Sequence, residues 1–70
     1  NPTNGNLTIE LDHAAEQIQL AVMDANGKLV SSNSYSNTKV LKLFIEGSIG
    51  IYTIHLSTGT KDTTFKVLKR

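Results

Sequence analysis

The sequence predicts an all-β chain: a small antiparallel β-sandwich, immunoglobulin-like, built from about six to seven short strands. Three observations carry this. Apolar residues alternate with polar ones at period two, as Leu7, Ile9 and Leu11 do against Thr8 and Glu10. Turn residues recur about every ten positions. No helical period runs for two turns, apart from a weak stretch over residues 12–19. Each strand carries an apolar face of its own, so two sheets facing one another satisfy the pattern.

Taken in order, Pro2 presets an extended backbone, and Asn4-Gly5 supplies a tight turn before the first strand at residues 7–11. Asp12-His13 reads as a turn beside that strand's end. Ile18, Leu20 and Val22 form the next apolar face, and Asp24-Ala25-Asn26-Gly27 closes a hairpin into a short strand with Leu29 and Val30. Residues 31–38 are small and polar and read as loop, since they offer little to bury. Leu41, Leu43 and Ile45 share one face of the strand at residues 39–45, with Val40, Lys42 and Phe44 on the other. Gly47 and Gly50 break that strand. Tyr52, Ile54 and Leu56 follow as an inward face, Thr58-Gly59-Thr60-Lys61 turns the chain, and Thr63, Phe65 and Val67 alternate in the last strand before Lys69-Arg70.

Composition removes several classes of function. The chain has 70 residues, 7 Lys plus Arg against 6 Asp plus Glu, and no Cys. A net charge of +1 gives no basic excess of the kind nucleic-acid binders carry, and without Cys neither a disulfide staple nor a thiolate zinc site can form. A domain of this size buries only about 60% of its unfolded surface, so a partner or a parent chain is expected to support it. The opening Asn1, with no charged-then-apolar leader, fits a domain cut from a larger secreted protein, a single unit over 1–70.

Catalytic chemistry finds no constellation. His13 and His55 lie on different segments, with His55 on the outward face of its strand, and no set of His, Asp and Glu has metal-ligand spacing. Neither a metal nor another cofactor is expected. Asp24-x-Asn26-Gly27 opens like a calcium loop but lacks the later bidentate Glu. Asn6-Leu7-Thr8 matches a glycosylation acceptor inside a strand. Tyr52, Phe44 and Phe65 sit at alternating strand positions that suit a core, leaving Tyr35 in the polar loop as the one aromatic free to stack on a sugar. That single residue is the basis for an alternative reading, a carbohydrate-binding or fibronectin-like adhesion module attached to a secreted enzyme.

The order of the punctuating motifs is more specific than any one of them. Asn1-Pro2-x-x-Gly5 precedes the first strand; Asp24-x-x-Gly27-Lys28 follows a hydrophobic strand; Gly50-x-Tyr52 comes next; and Lys66-Val67-Leu68-Lys69-Arg70 closes the chain. This order and spacing, over essentially the whole sequence, resembles the C-terminal sorting domain of proteins exported by the type IX secretion system, type A family. One departure stands out. The family often has Leu three residues before the Gly of Gly-x-Tyr; that position is Gly47 here, and Ile49 is expected to fill the pocket instead.

The resemblance implies a non-catalytic secretion signal. It would direct an N-terminal cargo domain through the periplasm and across the outer membrane to the cell surface or medium, and then be removed by a sortase-like protease. Its partners would be the translocon, that protease and the cargo. The resemblance assigns translocon recognition to Lys66, Lys69 and Arg70. Asn1, Pro2, Gly5, Asp24, Gly27, Lys28, Gly50 and Tyr52 carry the family motif and are mainly structural. A basic terminal strand would also serve as a solvated edge that discourages aggregation. An exposed strand edge elsewhere offers a surface for homodimerisation.

Overall fold

The computed structural model describes residues 2–70, with side chains from Asn4 onward. The chain forms β1 (Pro2–Thr3), β2 (Asn6–Met23), β3 (Leu29–Phe44), β4 (Gly50–Thr58) and β5 (Asp62–Lys69). These make one hydrogen-bonded sheet in the order β1-β5-β4-β2-β3. The long strands pair antiparallel, and β1 runs parallel to β5 at the outer edge, with Pro2 opposite Leu68 and Thr3 opposite Lys69. An edge strand is where a Pro, which has no N–H to give, is tolerated.

Expectation and structure differ in strand count. The segments at residues 7–11 and 18–22 lie in the two halves of β2, and those at residues 28–32 and 39–45, apart from Lys28 and Ile45, lie in the two halves of β3. Residues 31–38, expected as loop, are ladder: Val22 pairs with Ser31, Leu20 with Asn33 and Ile18 with Tyr35. The reason is that β3 is an edge strand. Its backbone groups pair with β2 while its Ser and Asn side chains face water, so polarity does not oppose strand formation there.

Both long strands are folded in the middle. An 18-residue strand drawn straight would reach about 55–60 Å, but the molecule measures 32 Å along its longest axis. The register shows where β2 bends. Glu10 pairs with Val40 and Ala15 with Thr38, so residues 11–14 stand opposite the single residue Lys39. A bulge of this kind bends the strand and changes which parity faces inward. Below it Leu7, Ile9 and Leu11 face the core; above it Ile18, Leu20 and Val22 do. Asp12 and His13 therefore sit inside a bulge rather than at a strand end. On β3, Asn37 takes a positive φ of 51°, a conformation Asn tolerates better than most residues. Tyr35 Oη donates to the Lys42 carbonyl at 3.2 Å. Residues seven apart on a straight strand would be separated by about 23 Å, so this bond closes across the bend.

Folding the hairpin in half lays its two legs together around one core. Ile18, Leu20, Val22, Ile54, Leu56, Tyr52 and Val67 meet Leu41 and Ile45 there, with Tyr35, Leu43 and Phe65 packed at the margin. Two aromatic expectations change. Phe44, expected in the core, is 53% exposed, because the alternation that buries Ile45 turns its neighbour outward. Tyr35, expected in an open loop, is half-buried against the core with its hydroxyl engaged, so it is not a free sugar platform.

A domain of this length is stabilised by roughly 4–10 kcal/mol in total. Leu41, fully buried where the two legs meet, should cost about 2–5 kcal/mol on truncation to Ala. Denaturant melts should show Leu41→Ala losing most of its folding transition, while Val40→Ala, at 39% exposure, shifts it by no more than about 0.5 kcal/mol. Equal shifts for the two variants would contradict the folded-hairpin packing.

Candidate recognition surface

The bend has a consequence for the motif residues: it brings the chain from Gly5 and Ile45 to the same end of the molecule as the terminal strand. Ile45 N donates to the Gly5 carbonyl at 2.8 Å, and Gly50 pairs with Lys69 across β4 and β5. The β2–β3 turn lies at this end too. Asp24, Ala25 and Asn26 form one wall of a shallow hollow of about 150 Å³, and residues 48–52 form the other.

Several of the described motif residues have a local physical task. Asp24 Oδ1 accepts from the backbone N–H groups of Asn26 and Lys28, each at 2.9 Å, and the Asp24 carbonyl accepts from Gly27 N at 3.0 Å. Gly27, with φ of 82°, takes the left-handed position this turn requires. Lys28 is exposed and contributes its backbone, accepting from Asp24 N at 2.9 Å. Gly5 (φ 121°) is buried against Phe44: a Cβ there would come within 2.7 Å of Phe44 Cε1. Pro2 lies in β1, and Asn1 lies outside the described residues.

The loop between β3 and β4 is held from below by two side chains. Tyr52 is buried, and its Oη donates to the Ser48 carbonyl at 2.6 Å. Lys69 Nζ donates to the Gly47 carbonyl, also at 2.6 Å, and lies 5.4 Å from the centre of the Phe44 ring. At 9% exposure Lys69 is the one buried charged residue among those described. A buried ammonium is tolerated only with such partners, an aligned carbonyl and the electron-rich face of an aromatic ring. Lys69 is therefore not part of a solvated basic edge, because strand alternation turns it to the core side with Phe65 and Val67. Lys66 and Arg70 are exposed.

Gly47 explains its own departure from the family pattern. Its φ is 117°, and a Cβ there would stand 2.7 Å from Tyr52 Oη. The Tyr52 hydroxyl stands where a side chain at position 47 would project, and Ile49, expected to fill that space, is instead 75% exposed. Gly47, Ser48 and Phe44 belong to this site and were not assigned to it from sequence. A glycine five residues before the motif Tyr52, at a position where the family often has Leu, was the available signal. At the opposite end, the bulge and the β4–β5 turn bound a cleft of about 800 Å³ lined by Ile9, Leu11, Leu56 and Phe65. His13 is at that cleft, and His55 lies on the outer sheet face with Nδ1 2.9 Å from Thr64 Oγ1.

With the motif pieces converging at one end, comparison with known families is decisive. Residues 1–70 match a family model described as the secretion system C-terminal sorting domain. The chain belongs to this family, the C-terminal sorting domains of type IX secretion. Searches of the curated proteins and of the solved structures return no match. The family is a non-catalytic sorting signal whose members act with the secretion machinery on a protein part N-terminal to them, and membership implies export to the cell surface or beyond.

The Gly47–Tyr52 contact makes a double-mutant prediction. Gly47→Ala should destabilise by about 1–3 kcal/mol, from strained backbone and the clash with the hydroxyl together. In a Tyr52→Phe background the clash disappears, so the same change should cost less by about 0.5 kcal/mol or more. Additive costs in thermal melts would show that the two residues do not meet as described.

Proposed function

We propose that residues 1–70 act as a cleavable C-terminal address. They would carry an N-terminal cargo through the periplasm and across the outer membrane, after which a sortase-like protease removes them upstream of Asn1. The observation that carries this reading is the match of the whole chain to the sorting-domain family, supported by the gathering of the motif residues at one end. The two legs of the bent sheet then serve as the layers of a small immunoglobulin-like sandwich, and its surface, rather than a catalytic centre, is the functional object. We assign contact with the translocon to Lys66 and Arg70, which are exposed, and to Lys69 a holding role within the same strand. Two copies would pair through the outer edge of β3, which faces no other strand of this sheet.

The experiment is export of a fluorescent carrier bearing its own signal peptide and residues 1–70 at its C-terminus, in a host with the secretion system. The carrier should reach the surface, and Lys66→Glu with Arg70→Glu should retain it in the periplasm without lowering the thermal midpoint. Retention of the carrier with the unaltered domain would refute the sorting role; undiminished export of the charge-reversed form would refute the assignment to these side chains.

A further inference from the structure

At 75% exposure, Ile49 stands further into solvent than any other large apolar side chain among the described residues. Its loop is not slack. The two carbonyls just before it are pinned from the core side, Gly47 by Lys69 and Ser48 by Tyr52, each at 2.6 Å. Two residues on, Ile51 is 44% exposed on the outer face of β4. Strand alternation puts Ile51 and Thr53 on that face, and their register partners Leu68 and Lys66 with them. Lys66 is thus the diagonal neighbour of Ile51, within reach of a shared partner. Arg70 follows Lys69, the register partner of Gly50, so the charged terminus runs alongside the Ile49 end of the loop.

An exposed aliphatic knob on an immobilised loop, beside two free cations, has the anatomy of an interface hot spot: an apolar anchor held in its bound geometry before the encounter, with charge at the rim. We propose that Ile49 and Ile51 are the apolar anchor by which this domain docks on a protein partner, seated in an apolar pocket rimmed by carboxylates that face Lys66 and Arg70. The inference rests on the sorting reading and names the chemistry of the surface recognised. A protein pocket fits better than a lipid surface. Rigid presentation of the knob favours a shaped pocket, whereas two isoleucines and two charges are too few for lasting membrane attachment.

The test uses the same carrier fusion. Ile49→Asp should reduce surface export by about tenfold or more, the scale of losing a hot-spot side chain, while the thermal midpoint of the isolated domain stays unchanged. Ile49→Thr, which keeps the β-branched shape, replaces it if the Asp variant melts early. Val40→Asp, at an apolar position on β3 that is 39% exposed, should export normally. Export of both Ile49 variants at the unaltered level overturns the docking proposal and leaves the sorting role standing. Failure of the unaltered fusion to export removes both. Flotation of the domain with phosphatidylglycerol–phosphatidylethanolamine vesicles, abolished by Ile49→Asp, would also overturn it by making the occupant a lipid surface.

Discussion

The constraint on which the molecule depends is geometric: an 18-residue and a 16-residue strand must fit within 32 Å. They do so by bending together, at the bulge opposite Lys39 on one strand and around Asn37 on the other. Without that bend the sheet would lie open, with no enclosed core. With it, Leu41 and Ile45 return to cover Ile18, Leu20 and Ile54, and the two ends of the hairpin's legs arrive at the same pole. Sequence motifs separated by most of the chain become neighbours for this reason.

At that pole the terminal strand is built into the fold rather than appended to it. Lys69 reaches under the β3–β4 loop, and Tyr52 supports the next carbonyl. β1 runs along the outer side of β5. Among the described residues no buried side-chain nitrogen or oxygen is left without a partner, so the polar groups drawn inward cost little in lost hydration. One set of contacts thus orders both the last strand and the loop beside it.

Much of this was legible from sequence where physics is local. The inward faces of β4 and of the upper half of β2 follow from alternation at Ile54 and Leu56 and at Ile18, Leu20 and Val22. The Asp24–Gly27 turn follows from turn chemistry. Gly50, with φ of 150°, has the glycine-favoured backbone its place in the motif suggested. What escaped was non-local. The polarity of residues 31–38 reads as loop unless their position at a sheet edge is known, and Asp12-His13 reads as a turn unless the strand is known to continue past it. Lys69 resembles any terminal lysine until Gly47, 22 positions away, is placed above it. Tyr35 reads as free for the same reason, since its partner Lys42 is near only after β3 has bent.

Proton NMR of the isolated domain tests the central claim most directly. If the bend joins the two ends of the chain, the Phe44 ring current acts on both Lys69, whose ammonium lies 5.4 Å from its centre, and Gly5, where a Cβ would stand 2.7 Å from Phe44 Cε1. The Lys69 Hε and Gly5 Hα resonances should both be displaced from their unstructured values, and both displacements should collapse in Phe44→Leu. Unstructured shifts at both residues in a folded, cooperatively melting domain would contradict the account.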